Sequence, residues 1–261
     1  MNRQLTYFLT LLMIPLLSFS QSQFPWPEGK KMAISLTWDD GRSSQVEVGT
    51  PILDRYGIRA TFYVVPSALE RSLEGWKQAV ANRHEIGNHS MTHPCSGNFL
   101  WAREKALEEM DLVDIDEQLD NANAEIKELL GVVPTEFAYP CGQTFVGRGV
   151  ETQSYVPVVA RQFVSGRTWL DEAPNDPSYC DLAQLTGVEM DGKSFKEILE
   201  YIEVARKDGL WLVLAGHDIG KKGRQTTETK MLHKLFKYLE DQPEIWVAPV
   251  GEISKYVVEN R

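Results

Sequence analysis

Apolar and polar positions along the chain fall into two repeating patterns. Short, nearly continuous apolar runs predict buried strands, and longer stretches with apolar residues at i, i+3, i+4 and i+7 predict amphipathic helices. The predicted strands cover 32–38, 60–65, 84–87, 163–165, 182–188, 210–216 and 245–248, and one more runs from 136 into a turn at 142. The predicted helices cover 46–56, 73–82, 99–130, 155–161, 194–208 and 228–239, with a short helix at the end.

The alternation of these elements predicts the fold class. It repeats about seven or eight times without a Pro-, Gly- or Ser-rich linker, which predicts a single α/β domain with a parallel sheet. The simplest such fold is a TIM-like (β/α) barrel. Barrel enzymes build their active sites at the carboxyl ends of the strands, so polar residues at those ends are the first candidates for function.

Four polar motifs follow predicted strands. They are Asp39-Asp40, the pair His89 and His93, Pro140-Cys141-Gly142, and His217. Each has an ordinary interpretation when taken alone, because Asp-Asp-Gly is usually a turn and a histidine after an apolar strand is often a core residue. The convergence of all four on one rim of the predicted barrel favours a catalytic site.

The histidine pair and one aspartate match the ligands of a catalytic zinc ion. His89 and His93 are spaced i, i+4, so a helical turn would present both on one face. Two histidines and one carboxylate leave a fourth position open. Asp39 and Asp40 reach one site only if the chain leaves strand geometry, which Gly41 permits. The sequence predicts a hydrolase that depends on a divalent ion, zinc first, with cobalt or nickel as alternatives.

Composition narrows the class of partner. The chain has 261 residues, of which 43% are hydrophobic and 25% charged, as is usual for a globular protein with a sizeable core. Its formal charge of −10 disfavours nucleic acid. A neutral substrate fits this acidic balance best.

The N-terminal segment predicts export. Arg3 precedes a short apolar run at 8–19, and small residues follow it, so 1–20 are expected to be a signal peptide and 21–261 the catalytic domain. The run is shorter than the roughly 20 apolar residues of a membrane span. A stable span is therefore not expected, with a membrane anchor as the alternative, and the expected location is secreted or periplasmic.

The three cysteines of the chain predict a possible disulfide near the site. Exported proteins form disulfides, and Cys95 and Cys141 both lie close to site motifs in the sequence, so these two could meet near the site. The odd number leaves at least one cysteine unpaired within the chain, and Cys180 is the third.

The motifs together resemble one known family. Thr37-Trp38-Asp39-Asp40-Gly41, His89-Ser90-Met91-Thr92-His93, Phe137-Ala138-Tyr139-Pro140-Cys141-Gly142 and Leu214-Ala215-Gly216-His217-Asp218 are similar, in this order, to the motifs of the polysaccharide deacetylases with the NodB-homology domain, carbohydrate esterase family 4. The similarity covers about residues 30 to 255. It implies a distorted (β/α) barrel that removes acetyl groups from a polysaccharide or oligosaccharide.

The resemblance also implies a role for each residue. Asp40, His89 and His93 become the metal ligands, Asp39 the general base and His217 the general acid. The main-chain N–H of Cys141 falls at the position of the oxyanion donor, and the neighbouring Tyr139 and Pro140 fall on the substrate side.

Two departures from the family pattern concern the residues behind the site. Ala138 stands where the family has an arginine that holds the catalytic aspartate, so Arg148, Arg161 or Arg167 is expected to substitute, or Asp39 is tuned differently. The family's aspartate partner of the catalytic histidine has only Asp191 as a candidate.

Two other functions stay open from the sequence. A related amidohydrolase acting on a small non-sugar C–N bond would have a closed pocket rather than an open groove. A non-catalytic glycan-binding relative is suggested by the missing arginine, although Asp39 and His217 argue against it.

Overall fold

The computed structural model describes residues 24–261, so the expected signal peptide lies outside the described residues. Within residues 24–261, no helix is both long enough and apolar enough to span a bilayer.

Strands and helices alternate as the sequence predicts. The strands are β1 Met32–Trp38, β2 Thr61–Val64, β3 Glu85–Asn88, β4 Glu136–Ala138, β5 Phe145–Val146, β6 Gln153–Ser154, β7 Ser165–Arg167, β8 Val188–Glu189, β9 Trp211–Gly216, β10 Asp218–Gly220, β11 Thr226–Glu228 and β12 Ile245–Val247. The α-helices are α1 Thr50–Arg55, α2 Pro66–Leu69, α3 Leu73–Ala81, α4 Leu112–Leu130, α5 Val156–Gln162, α6 Phe195–Asp208, α7 Thr229–Glu240 and α8 Val250–Asn260. A π-helical turn at Gln45–Gly49 precedes α1, and short 3-10 turns occupy several of the loops.

The main sheet is parallel and forms a distorted barrel. In the part of the chain that the structure describes, its strands run in the order β7-β4-β3-β2-β1-β9-β8, with β12 paired to the start of β1. Regular pairing ends between β7 and β8, where an isolated parallel bridge joins Arg167 to Leu185. The predicted (β/α) barrel of seven or eight units is confirmed, in the distorted form that the family resemblance implies.

Alternation along the strands gives the sheet two different faces. The apolar side chains at 34, 36 and 38 of β1 pack in the largest hydrophobic cluster, together with residues of α3, α6 and α7. On the other face, buried polar side chains of neighbouring strands contact each other; for example, Ser165 Oγ of β7 donates to the Glu136 carboxylate of β4. The barrel interior is therefore partly polar, and the functional residues lie at one end of this polar layer.

Three predicted elements differ from the structure. The expected strand at 163–165 is displaced, because β7 is Ser165–Arg167. The expected helix at 99–130 is α-helical only as α4, because the Asp111 side chain accepts from the N–H groups of Val113 and Asp114 and fixes the start of the helix there. The expected strand at 182–188 is a 3-10 turn, Leu182–Gln184, followed by the two-residue β8. In contrast, the predicted capping box of Ser194 and Glu197 opens α6 as expected.

Candidate active site

The Asp39-Asp40 pair lies where β1 ends. Asp40 and Gly41 both have left-handed backbone conformations, with φ of 74° and 67°. This turn breaks the alternation of the strand, so the two carboxylates approach one site rather than opposite faces of the sheet. The expectation that the chain leaves strand geometry here is confirmed, and Asp40 shares the left-handed conformation with Gly41.

His89 and His93 follow β3 on an irregular loop. The helical turn expected from their spacing is wrong, because Ser90 and His93 have positive φ values of 64° and 54°. The loop is held by local hydrogen bonds: Ser90 N–H donates to Asn88 Oδ1 at 2.6 Å, and His93 N–H donates to Ser90 Oγ at 3.0 Å. The two imidazoles still meet, with ring centroids 4.7 Å apart.

Asp40, His89 and His93 form one cluster of potential ligands. Asp40 Oδ1 lies 3.5 Å from His89 Nε2 and 3.4 Å from His93 Nε2. Nitrogen and oxygen ligands about 2.0–2.1 Å from a tetrahedral zinc ion are roughly 3.3 Å apart, so these separations fit a shared ion. His89 Nδ1 faces the carbonyl oxygen of Ala138 at 2.8 Å, which leaves Nε2 of this ring for a ligand.

The protonation of this cluster also favours cation binding. Burial opposes the ionisation of Asp40, but its hydrogen bond with His89 and the neighbouring imidazoles hold the pKa of the carboxyl well below its usual range. Burial and the adjacent His89 lower the pKa of His93 to about 4. Near neutral pH the cluster therefore presents a carboxylate and a neutral imidazole at His93, which are the forms that bind a metal ion.

Asp39 is buried beside this cluster. One carboxylate oxygen, Oδ1, accepts a hydrogen bond from Arg167 Nη2, and Arg167 is itself only 1% exposed. The other oxygen, Oδ2, lies 4.0 Å from His89 Nε2. Of the three arginines considered from the sequence, Arg167 is therefore the one that contacts Asp39, and it does so from β7 rather than from the position of Ala138 on β4.

His217 follows β9 on the other side of the cluster. Its Nδ1 lies 2.8 Å from Asp191 Oδ2, so the Asp191 candidate meets this histidine. Asp191 Oδ1 in turn accepts from Thr227 Oγ1 at 2.7 Å. Burial alone would lower the pKa of His217, but the Asp191 hydrogen bond, together with Asp39 and Asp40, raises it above the ordinary value of 6.5.

The turn after β4 differs in part from the expectation. Tyr139 is 1% exposed and donates its hydroxyl hydrogen to Ala183 O at 2.7 Å, so its side chain packs into the core instead of facing a substrate. Pro140 is also buried. The substrate contacts expected of these two side chains are therefore wrong, whereas Cys141 is partly exposed and has a φ of 56°.

Cys95 and Cys141 form a disulfide, as the sequence analysis anticipated, and Cys180 has a free thiol. The bond joins the loop that carries His93 to the turn that carries Cys141.

Arg42 is a site residue that the sequence analysis missed. Its Nε and Nη2 donate to Asp40 Oδ2 at 3.1 and 2.8 Å, and its Nη1 donates to Asp218 Oδ2 at 2.6 Å. These bonds hold the oxygen of Asp40 that faces away from the histidines. The sequence did contain an indication of this contact. Arg42 directly follows the Asp-Asp-Gly motif and Asp218 directly follows His217, so two opposite charges adjoin the site motifs.

Aromatic residues flank the cluster on two sides. The Trp101 ring is 64% exposed and lies 5.9 Å from the His93 ring, and Phe99 stacks on Trp101 at 5.5 Å. On the opposite side, the Trp169 ring meets the His217 ring edge to face at 4.5 Å. A cleft of about 470 Å³ opens beside Asp40 and is lined by Arg42 and Asp218 among others.

The family model for polysaccharide deacetylases matches residues 27–150, the segment that contains the Asp39-Asp40 turn, both histidines and the Cys141 turn. This part of the chain is similar to the polysaccharide deacetylase family. The remaining part of the barrel supplies Arg167, Asp191 and His217 to the same site.

The individual relatives of this chain are distant, and the matched segments cover only part of their length. YlxY of Bacillus subtilis (strain 168) is 31% identical over 109 residues, which are 42% of this chain and 30% of that protein. Peptidoglycan-N-acetylglucosamine deacetylase PgdA of Listeria monocytogenes serotype 1/2a is 27% identical over 127 residues, 48% of this chain and 24% of PgdA. The matched segments thus span less than a third of these two relatives.

A solved structure supports the fold. The family 4 acetyl xylan esterase of Clostridium thermocellum, determined in complex with a cobalt ion, superimposes with a TM-score of 0.56 at 17% identity. The alignment covers 86% of this chain and 91% of the esterase. Such low identity shows a shared fold only.

Proposed function

We propose that this chain is a metal-dependent hydrolase that removes acetyl groups from a carbohydrate and releases acetate. The observation that carries the proposal is the approach of Asp40 Oδ1 to Nε2 of both His89 and His93 within 3.5 Å, with the Asp39 carboxylate beside them. The similarity of residues 27–150 to the polysaccharide deacetylase family supports this reaction class.

The residues of the cluster fit a divalent cation. Asp40, His89 and His93 would hold it, and two imidazoles with one carboxylate leave room in the coordination shell, with zinc as the first candidate and cobalt or nickel as alternatives. A divalent cation in such a site lowers the pKa of water and polarises a carbonyl group. Arg42 occupies the second oxygen of Asp40, which leaves Oδ1 as the ligand atom.

The other residues move protons and support charge. Asp39, whose Oδ1 accepts a hydrogen bond from Arg167, takes the proton of the attacking water. The Cys141 N–H supports the developing oxyanion, and one such donor typically contributes about 10²–10³ in rate. His217 then protonates the leaving amine or alkoxide, and its raised pKa keeps the protonated form available near neutral pH.

An acetylated oligosaccharide or polysaccharide is the substrate class that the surroundings of the cluster favour. The exposed, stacked Phe99 and Trp101 offer a flat apolar surface next to His93, on which the apolar face of a sugar ring can pack. The cleft beside Asp40 is open to exposed residues such as Arg71. An extended ligand fits this mouth better than a small enclosed one, which disfavours the alternative of an amidohydrolase for small non-sugar substrates.

The non-catalytic alternative loses its main argument. It rested on the missing arginine at Ala138, and Arg167 supplies a guanidinium to Asp39 from the neighbouring strand.

The proposed location is outside the cytoplasm, because residues 1–20 have the pattern of a signal peptide. N-terminal sequencing of the protein recovered from the culture medium or periplasm tests this location.

Acetate release tests the function. The purified protein, loaded with Zn²⁺ or Co²⁺, is expected to release acetate from acetylated chito- or xylo-oligosaccharides, and a chelator is expected to abolish release until the ion is restored. The matched variant Asp39→Asn keeps the volume of the side chain but removes the proposed base, so its rate should fall by about 10²–10⁴. Absence of release from both substrate types, or full activity of Asp39→Asn, contradicts the proposal.

A further inference from the structure

The Cys95–Cys141 disulfide connects two loops that both contribute to the proposed chemistry. Cys95 is fully buried, and its Cα atom lies 6.0 Å from that of Cys141. Beside the disulfide, Ser96 N–H donates to Gln143 Oε1 at 2.8 Å. The histidine loop and the turn after β4 are therefore tied at two adjacent points, one covalent and one by hydrogen bonding.

The disulfide also contacts one of the proposed metal ligands. His93 Nδ1 lies 3.6 Å from Cys95 Sγ, while Nε2 of the same ring faces Asp40. In His89 the corresponding Nδ1 faces the Ala138 carbonyl oxygen. The group next to Nδ1 helps to orient an imidazole that binds a metal through Nε2. For His89 this group is a main-chain carbonyl, and for His93 it is the disulfide sulfur.

The backbone is strained in both of the loops that the disulfide joins. His93 and Cys141 have φ values of 54° and 56°, a region in which residues other than glycine are disfavoured. Such conformations persist where the surrounding structure enforces them. A covalent bond between the two loops restricts the ways in which either turn could relax.

We propose that the Cys95–Cys141 disulfide is a positioning element of the active site: it holds the His93 imidazole in its ligating orientation and fixes the Cys141 N–H relative to the ion. The inference rests on the proposed function, because it assigns a task to the disulfide within that metal site.

Metal affinity measures this role independently of turnover. The pair Cys95→Ser with Cys141→Ser removes the bond, and Cys180→Ser, at a thiol outside the site, is the matched control. Cobalt affinity is measured by competition with a chelator at a temperature well below unfolding, and kcat is then measured at saturating cobalt. The serine pair is expected to bind cobalt about 10–100-fold more weakly. Its kcat should stay low at saturation, because the N–H donor is displaced as well, whereas Cys180→Ser behaves like the unaltered protein.

A purely structural disulfide would give a different result. The serine pair would then unfold at a lower temperature but keep its cobalt affinity and its kcat at saturation, which would overturn the inference. If the serine pair does not fold, Cys95→Val with Cys141→Ala, which leaves apolar side chains at the buried position, is measured in the same way. Failure of both pairs to fold would assign the bond to stability and overturn the inference too. The proposed function is tested separately on the unaltered protein: it fails if that protein binds no divalent ion or releases no acetate, whatever the serine pair does.

Discussion

Arg167 and Ala138 are direct partners across the parallel pair β4 and β7. Position 138 is where the family resemblance places the arginine that holds the catalytic aspartate. In this chain the guanidinium reaches Asp39 from the neighbouring strand instead, and it also lies 5.1 Å from the centre of the Tyr63 ring. The same electrostatic contact is therefore made from an adjacent backbone position.

Loss of this contact should lower the rate more than it weakens substrate binding. Arg167→Ala leaves the buried Asp39 carboxylate without the guanidinium that holds its orientation beside the cluster. The kcat for acetate release is expected to fall about 10²-fold with little change in KM. The informative partner variant is Arg167→Ala with Ala138→Arg, which returns the cation to the position expected from the family.

Partial recovery of kcat in this exchanged variant is the expected result. Both proteins should be compared with Arg161→Ala, an exposed arginine at the end of α5, as the control. An Arg167→Ala protein that folds and keeps its full kcat would show that Asp39 needs no cation.

The Asp191 contact should set the alkaline limit of activity. Asp191→Asn removes a negative charge that raises the pKa of His217. If protonated His217 is the general acid, activity falls as pH rises through its pKa, so the alkaline limb of the kcat profile is expected to move to lower pH. The kcat at the optimum should also fall, by about 10²-fold.

Thr227→Val provides the graded comparison for Asp191. It removes only the hydroxyl that donates to Asp191 Oδ1 and keeps the carboxylate, so a smaller displacement of the alkaline limb is expected. An alkaline limb that stays in place in Asp191→Asn would exclude His217 as the group that titrates there.

The sequence predicted the site residues whose signal is local. Asp39, Asp40, His89, His93 and His217 lie in short motifs at the ends of predicted strands, so their meeting follows from the fold class. The loop conformation at 89–93 did not follow, because it depends on hydrogen bonds such as the one from Thr92 N–H to Gln118 Oε1 of α4.

Contacts between distant segments were harder to predict. Arg167 lies 128 residues from Asp39 in sequence, and three arginines were equally acceptable until the pairing of β4 with β7 selected one. The role of Tyr139 was wrong for the same reason: its hydroxyl donates to Ala183, 44 residues away, so the side chain turns inward.

The aromatic pair beside His93 should matter for extended substrates only. Trp101→Ala removes the exposed ring on which a sugar is proposed to pack, and a loss of about 1.4 kcal/mol corresponds to a tenfold change in binding. The KM for an acetylated oligosaccharide is expected to rise about tenfold, whereas kcat/KM for a small aryl acetate stays unchanged. Tyr179→Ala is the control, because Tyr179 is 90% exposed on the loop that meets the start of β9 at Asn175.

An equal loss of kcat/KM on both substrates would indicate that Trp101 supports the His93 loop instead of binding a sugar. If the KM of Trp101→Ala for the oligosaccharide is unchanged, the Trp101 ring is not a surface on which the sugar packs.

A buried acid in the barrel interior should make stability depend on pH. Glu136 is 1% exposed, and burial together with the nearby Glu85 raises its pKa to about 8, although Ser165 Oγ donates to the carboxylate. In the unfolded chain the ordinary value is about 4.5. Between these two values the folded protein binds more protons than the unfolded chain, so the free energy of unfolding falls as pH rises.

Glu136→Gln replaces this acid with a neutral group of the same shape and should remove most of that dependence. Chemical denaturation is expected to show little difference between the variant and the unaltered protein at pH 5, where Glu136 is protonated in the folded state. Between pH 5 and pH 8 the stability advantage of the variant should grow by about 3–4 kcal/mol. Glu128→Gln, at an exposed position of α4, controls for the loss of one carboxylate. A variant that is less stable than the unaltered protein at pH 8 would mean that Glu136 is ionised in the fold and that Ser165 and its neighbours stabilise the charge.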